Sequence, residues 1–344
     1  MSDRDARPIA VLLCPGRGSY GKNELGCIGR LLAADPVRNA ALRDALAEAD
    51  AIRARDGRPT LSELDAAPAF RPGVHLDGKN AAELIYFATM AQLGILHERY
   101  RIVAVLGNSL GWYTALAAAG AVDPAAGALL VRTMARLQDL AKGGQILTTA
   151  VDAAWRSDPV SVAAIDAALH DVAARGPDHF VARSIRLGGH EVLAGTETGV
   201  SALLAALPKV SGGEREFPFR LAGHGPFHTS LCTDVAATAQ HELAELPVTM
   251  PGVHLIDGKG DVHSPWSADP DELLDYTTGE QVLCTFDFSA AVRTALREFN
   301  PDVLLCAGPG TSLRAPAGHI VIREGYRGIE DREALFASGL VRVD

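Results

Sequence analysis

The chain has 344 residues, of which 48% are hydrophobic and 22% are charged, a composition typical of a globular protein with a sizeable core. Its formal net charge of -10 argues against general nucleic-acid binding, because neutralising phosphates takes clustered lysine and arginine. The five cysteines are scattered, which favours neither a disulfide framework nor a zinc site. No apolar run approaches the roughly 18 to 20 residues of a membrane span, so we expect a soluble, cytoplasmic protein.

The first part of the chain alternates buried strands with helices. Residues 9–14 (IAVLLC) form a continuous apolar run, typical of a strand buried on both faces, and a glycine-rich turn follows. A second such strand is predicted over residues 102–106. Helices are predicted over residues 24–34, 37–55, 81–99, 112–120 and 125–142.

The pattern changes at Gly143 and Gly144. A strand is predicted from Ile146. It is followed by a helix at 161–174, strands at 180–185 and 191–194, a helix at 200–207 and a strand at 216–221. That order is typical of a small ferredoxin-like α+β layer. The first pattern resumes with strands at 254–256 and 303–306 and a helix at 289–298. We therefore expect an α/β-hydrolase-like large domain with a parallel sheet core (1–143 and 222–344) and an inserted ferredoxin-like subdomain (144–221).

Gly107-x-Ser109-x-Gly111 follows the second buried strand and precedes a helix of small residues, the context that a nucleophile elbow requires. The turn would place the serine hydroxyl at a helix N-terminus, where the Leu110 N–H can help to hold an oxyanion. A hydroxyl needs a base to become a nucleophile at neutral pH. His224 and His228 both lie in the loop after the insert, and spacing alone allows either.

Three sequence blocks together resemble the malonyl-CoA:acyl-carrier-protein transacylase family and the acyltransferase domains of polyketide synthases. They are Pro15-Gly16-Arg17-Gly18-Ser19, Gly107-Asn108-Ser109-Leu110-Gly111-Trp112-Tyr113-Thr114-Ala115-Leu116 and Gly225-Pro226-Phe227-His228-Thr229, with Gly308-Pro309-Gly310 as a weaker fourth. Their order and separations match the family over nearly the whole chain, and the insert falls where that family has one.

The resemblance implies a reaction and the residues that perform it. It selects His228 as the base, oriented by a main-chain carbonyl that aligns with Gln281, and it implies an oxyanion hole made by the main-chain N–H groups of Leu110 and Arg17. The implied enzyme moves an acyl group from acyl-CoA or acyl-ACP, through an acyl-enzyme on Ser109, to the phosphopantetheine thiol of an acyl carrier protein. We expect no permanently bound cofactor. We also expect no metal, because His254 and His263 lack partners at metal-ligand spacing. Neither a nucleic acid nor a membrane is expected as partner.

One departure from the family concerns the substrate. Malonyl-selective members carry an arginine in the helix after the elbow, and the matching position here is Met134. Arg132 and Arg136 lie two residues to either side and so point elsewhere on the helix. A thioether cannot neutralise a buried carboxylate. We therefore predict an uncharged acyl chain rather than malonyl.

Three other positions depart from the family or bear on selectivity. Arg17 replaces a glutamine. It is either a solvated loop cation or a functional residue. As a functional residue it would contact CoA phosphates, or it would serve as a displaced carboxylate clamp that restores malonyl transfer. Asn108 replaces a histidine, with no firm consequence. Phe227 matches a position linked with selectivity for small substituents, and a plain packing aromatic fits it equally well.

Other classes of protein remain as alternatives. Residues 16–21 match a dinucleotide fingerprint, but the expected second strand reads as a helix. An ordinary α/β-hydrolase usually places an acid between the serine and a late histidine. A hydrolase of the same transacylase fold fits Met134. A carrier-protein docking module would not need both Ser109 and His228. Arg314, Arg323 and Arg327 are candidates for docking a carrier protein, but their spacing is more typical of scattered, solvated surface charges.

Overall fold

The computed structural model describes residues 5–211 and 216–343. Its strands are β1 (Ile9–Cys14), β2 (Arg101–Gly107), β3 (Gly144–Thr149), β4 (Val181–Leu187), β5 (His190–Gly195), β6 (Val210–Ser211), β7 (Glu216–Phe217), β8 (Phe219–Arg220), β9 (His254–Ile256), β10 (Val262–His263), β11 (Phe286–Asp287), β12 (Val303–Cys306) and β13 (Val341–Val343). Its α-helices are α1 (Cys27–Ala34), α2 (Ala40–Arg55), α3 (Leu61–Asp65), α4 (Pro72–His75), α5 (Gly78–Arg99), α6 (Leu110–Ala118), α7 (Pro124–Leu137), α8 (Pro159–Ala173), α9 (Glu197–Ala206), α10 (Thr233–Glu242), α11 (Pro270–Thr278), α12 (Glu280–Leu283), α13 (Phe288–Phe299), α14 (Arg314–Arg323) and α15 (Arg332–Ser338).

The larger sheet has six strands in the order β10-β9-β2-β1-β12-β13. Neighbours run parallel except β10, which returns antiparallel beside β9 at one edge. Residues 10–14 of β1 are fully buried, as expected for a central strand covered by helices on both faces. Ligands of such sheets bind beyond the carboxyl ends of the strands, and Ser109 lies there, just after β2.

The smaller sheet has the order β11-β4-β5-β3-β8. The strands of the insert are mutually antiparallel, in the pairing order of a ferredoxin-like layer. Helices α8 and α9 cover one face and enclose a separate apolar core with Ile146, Ile165, Leu193 and Leu203. β11, which comes much later in the chain, pairs in parallel with β4. The predicted α/β class with a small inserted layer is therefore confirmed.

The domain boundaries at 143/144 and 221/222 stay predictions. Residues 1–4, 212–215 and 344, which the predicted domains include, lie outside the described residues. No helix in the described ranges is long and apolar enough to cross a membrane.

Several predicted elements differ from those of the structure. The strand predicted at 216–221 is two short strands, β7 and β8, that pair with different partners, Val210 and Leu147 among them. Pro218 separates them, and proline has no N–H for a sheet ladder. The helix predicted at 112–120 begins at Leu110, directly after the serine. No helix is predicted where α14 lies; its third residue is Pro316, in the first turn, where proline is tolerated.

Candidate active site

Ser109 stands at the bend between β2 and α6. Its φ of 54° and ψ of -112° lie in a region that side-chain-bearing residues rarely adopt. Such a conformation costs on the order of 1–3 kcal/mol and persists only where the surroundings enforce it. The bend holds the serine at the N-terminus of α6, as the G-x-S-x-G motif predicts.

The two flanking glycines are required by close backbone packing. A Cβ on Gly107 would lie 2.1 Å from the main-chain carbonyl of Gly111, and a Cβ on Gly111 would lie 2.1 Å from the carbonyl oxygen of Cys14. Both distances are far below van der Waals contact. The end of β1, the end of β2 and the first turn of α6 therefore meet only because these positions lack side chains.

His228 faces the serine. Its Nε2 lies 2.7 Å from Oγ of Ser109, although 119 positions separate the two residues in the chain. His224, the other candidate, instead contacts Oε1 of Gln145 through its Nδ1 atom at 3.2 Å. The geometry thus agrees with the choice that the family resemblance implied and that spacing left open.

The main-chain carbonyl of Gln281 fixes the state of the imidazole. It lies 2.6 Å from Nδ1 of His228. A carbonyl oxygen only accepts hydrogen bonds, so Nδ1 carries the proton and Nε2 of the neutral ring presents its lone pair to the Ser109 hydroxyl. This is the tautomer that a general base needs.

Burial keeps the imidazole of His228 neutral. His228 is 1% exposed, and burial lowers its pKa to about 4 because a charged imidazolium would lose its hydration. The Gln281 carbonyl opposes this shift in pKa, and the nearby charge of Arg17 adds to it. At neutral pH the ring is therefore free to take a proton.

Contacts that the motifs did not predict hold the loop of the base. Oγ of Ser184 donates to the Phe227 carbonyl at 2.9 Å, and Nε2 of Gln145 donates to Ser184 Oγ at 2.8 Å. His228 itself has a φ of 63°, and its N–H donates to the Val282 carbonyl at 2.8 Å. The small sheet thus supports the loop that carries His228.

The side chain of Gln281 connects the base to the elbow. The Tyr113 hydroxyl donates to Oε1 of Gln281 at 2.9 Å, and Nε2 of Gln281 donates to the Ser109 carbonyl at 3.3 Å. The same residue therefore orients His228 with its backbone and supports Ser109 with its amide.

The N–H groups of Leu110 and Arg17 are available as donors. Within the described ranges neither makes a hydrogen bond, and both residues line the cavity that Ser109 faces. Gly111, one residue further, already donates to the Asn108 carbonyl at 2.9 Å. The arrangement is compatible with the predicted oxyanion hole.

A cavity of about 370 Å³ lies over the serine. Met134, Phe227 and Asn108, the three predicted pocket residues, line it. Met134 is 2% exposed. Neither Arg132 nor Arg136 lines the cavity, and Arg136 instead pairs with Glu242 on α10.

Arg17 is the one charged side chain among the described residues lining this cavity. Its Nη1 donates to Oε1 of Gln138 at 2.7 Å and to the Gly223 carbonyl at 3.0 Å, and it forms no ion pair with a carboxylate in the described part of the chain. Burial lowers its pKa to about 10. The Arg17 side chain is thus partly exposed and is held by two neutral acceptors.

Two further sequence alternatives can be compared with the structure. Where a dinucleotide fold would need its second strand, the chain forms helix α2. Across residues 5–211 and 216–343, no group of three or more His, Cys, Asp and Glu side chains is placed to hold a metal ion.

No protein-family model and no curated protein matches the chain. Solved structures do match. A malonyl-CoA:ACP transacylase from Synechocystis sp. PCC 6803 matches with a TM-score of 0.71 at 19% identity, over 96% of this chain and 99% of that one. An acyl-carrier-protein S-malonyltransferase from Burkholderia pseudomallei 1710b gives 0.70 at 21% identity, over 96% and 98%. A type II polyketide synthase acyl-carrier protein in complex with its malonyl-transacylase gives 0.72 at 20% identity, over 97% and 99%.

Identities this low establish the fold and not the substrate. The chain therefore has the fold of the malonyl-CoA:acyl-carrier-protein transacylases, which is the fold that its three sequence blocks implied.

Proposed function

We propose that this protein is an acyltransferase that moves a neutral acyl group from acyl-CoA or acyl-ACP to the phosphopantetheine thiol of an acyl carrier protein. The observation that carries the proposal is the chain of contacts from Ser109 Oγ to His228 Nε2 (2.7 Å) and from His228 Nδ1 to the Gln281 carbonyl (2.6 Å), at the floor of a cavity. The solved relatives that act on acyl carrier protein support this choice of acceptor.

In the first half-reaction, Ser109 Oγ attacks the thioester carbonyl while Nε2 of His228 takes the hydroxyl proton. The Leu110 and Arg17 N–H groups hold the oxyanion, and the Gln281 carbonyl stabilises the imidazolium that forms. The carbon–sulfur bond then breaks. The leaving CoA thiolate takes the proton from Nε2, which leaves an acyl ester on Ser109 and a neutral His228.

In the second half-reaction, the acceptor thiol enters the same site. Nε2 of His228 takes its proton, the sulfur attacks the ester carbonyl, and the bond between that carbon and Ser109 Oγ breaks. The serine oxygen takes the proton back. The enzyme returns to its starting state, and no permanently bound cofactor is needed. A reaction of this kind fits the cytoplasmic location predicted from the sequence.

Met134 supports a neutral acyl group. It lies buried in the cavity wall, so a substrate carboxylate placed against it would lose its hydration and gain no partner. Arg132 and Arg136 do not line the cavity and so offer no substitute nearby.

Arg17 supports a second candidate, a malonyl transferase with a displaced carboxylate clamp. Its guanidinium lies in the cavity with only neutral partners, an amide oxygen and a carbonyl. The guanidinium is partly exposed to the cavity and has no carboxylate partner among the described residues, so it is free to pair with a substrate carboxylate. Under this alternative Arg17→Gln abolishes malonyl loading. Under the neutral-acyl proposal it leaves the preference for neutral chains in place.

A chase experiment tests transfer. Protein loaded with a radiolabelled acyl group and freed of CoA is mixed with holo acyl carrier protein, or with buffer alone. We expect label to appear on the carrier much faster than as free acid. Release as free acid at the same rate with or without the carrier would instead identify a hydrolase of this fold. A carrier protein without its phosphopantetheine arm is the control and should accept no label.

A further inference from the structure

Four apolar side chains form a straight row across the small sheet. Phe219 of β8 is paired with Leu147 of β3, Leu147 with Val192 of β5, and Val192 with Ile185 of β4. With strands about 4.8 Å apart, the row is about 14 Å long. All four side chains line the cavity that contains Ser109.

The row lies on the face of the sheet that α8 and α9 do not cover. Residues at the alternate positions, such as Ile146 and Leu193, point to those helices. A register shift between Arg183 and Ile185 in β4 puts Ile185 on the cavity face together with Val192. Leu147 and Phe219 stay only partly buried there. The sheet thus keeps an apolar face towards the cavity, where no helix of its own covers it.

The size and the charge of the cavity say what fits against this row. Its volume of about 370 Å³ is well over twice that of a cavity of about 150 Å³ that holds benzene, which is far more than a two- or three-carbon acyl group needs. The nearest polar lining residue of β5, His190, is neutral at pH 7, because burial lowers its pKa to about 4. Arg17, the charged residue among the described lining residues, is not part of the row, so the row itself offers apolar contact and no charge.

We infer that the row Phe219–Leu147–Val192–Ile185 binds the hydrocarbon chain of the substrate, and that the substrate is a medium-length apolar acyl thioester, on the order of six to ten carbons. This inference rests on the proposed function for the reaction at Ser109. It adds to it the substrate class and the surface that selects it.

Binding of thioethers tests the site without any reaction. S-octyl-CoA and S-ethyl-CoA lack the thioester carbonyl, and their affinities are measured by calorimetry. We expect S-octyl-CoA to bind the wild-type protein at least about tenfold more tightly, because six more methylenes leave water. Leu147→Trp fills the middle of the row and should reduce that ratio to near one. Val160→Trp adds the same bulk at a side chain that is 77% exposed on α8, and it should keep the wild-type ratio.

The outcomes separate the site from the reaction. Equal affinities for the two thioethers in the wild-type protein would overturn the inference. An equal loss of affinity for both thioethers in Leu147→Trp would also overturn it, because that result would place the pantetheine arm on the row instead. Leu147→Asn, which keeps the branched outline of the side chain and adds a polar amide, replaces the tryptophan variant if that does not fold. If the wild-type protein forms no acyl-enzyme and still prefers S-octyl-CoA, with that preference lost in the Leu147 variant, the proposed function fails. The inference that the row binds the hydrocarbon chain then stands.

Discussion

The main-chain carbonyl of Gln281 accepts a 2.6 Å hydrogen bond from Nδ1 of His228, in the position that a carboxylate occupies in many serine enzymes. A carbonyl fixes the same tautomer but carries no charge. The carbonyl therefore favours a buried imidazolium less than a carboxylate would, and burial keeps the resting histidine neutral. The neutral state of the resting histidine therefore depends on desolvation, and the Gln281 carbonyl opposes that effect only in part.

Substitution of Gln281 should have a modest effect, because its backbone performs the orienting. Gln281→Leu removes the side-chain bonds to Tyr113 and to the Ser109 carbonyl and leaves the main-chain carbonyl in place. Two hydrogen bonds of ordinary strength predict a loss in kcat of about tenfold. His228→Ala should cost about a hundredfold to ten-thousandfold. A loss in Gln281→Leu as large as that in His228→Ala would show that the side chain, and not the carbonyl, supports the base.

The pH dependence of acylation should be displaced towards acid. His228 acts only when neutral, and its pKa is lowered from 6.5 to about 4. We expect kcat/KM for acyl-enzyme formation to stay level as the pH falls through 6.5 and to decline only near the lowered pKa. An acid limb centred near pH 6.5 would contradict the burial of the imidazole.

The same shift affects stability. Between pH 6.5 and about 4 the unfolded chain binds a proton at this histidine that the folded chain does not, so the free energy of unfolding should fall on acidification through this window. Urea unfolding at each pH measures this free energy. It also shows over which pH range the protein used in the activity assay is folded.

Introducing a cation at position 134 should increase the loading of malonyl groups. Met134→Arg places a guanidinium where the cavity now has a buried thioether. We expect malonyl loading relative to octanoyl loading to rise by at least about tenfold, because the carboxylate gains a charged partner. Met134→Leu, which changes shape without adding charge, is the matched control. An unchanged ratio in Met134→Arg, with the protein folded, would show that another residue sets the selectivity.

The elbow should not tolerate a methyl group at its second glycine. Gly111→Ala puts a Cβ 2.1 Å from the Cys14 carbonyl oxygen, so β1 and α6 must separate. We expect the free energy of unfolding to fall by about 1–3 kcal/mol or more, with loss of acylation. Gly73→Ala is the control, since no atom lies within 4 Å of its Cβ position. Equal unfolding midpoints for the two variants would contradict the packing described.

The sequence predicted the parts of the site that local pattern encodes. The G-x-S-x-G motif between a buried run and small residues specified the elbow, since turn geometry and close packing are local requirements. The choice of His228 over His224, in contrast, is not encoded by local pattern. Both histidines lie in one loop, and contacts formed across the fold, such as those of His228 with Val282 and Gln281, place its ring against Ser109.

Other parts could not be predicted because they depend on register or on distant contacts. Ile185 reaches the cavity only through a shift in pairing that no alternation of residues announces. Arg17 could equally be a loop cation by sequence, and its position in the cavity wall depends on contacts with Gln138 and Gly223, which come from two separate segments. Ser184 supports the base loop from within the insert, and its sequence context gives no sign of that contact.

The central claim is that the oxygen of Ser109 becomes acylated. Intact-protein mass spectrometry after incubation with octanoyl-CoA, followed by peptide mapping, measures this directly for the wild-type protein and for Ser109→Ala. We predict a mass increase of one octanoyl group, on the peptide that contains Ser109, in the wild type only. No adduct with any acyl-CoA of a panel from acetyl to decanoyl that also includes malonyl, or an adduct that persists in Ser109→Ala, would contradict the account.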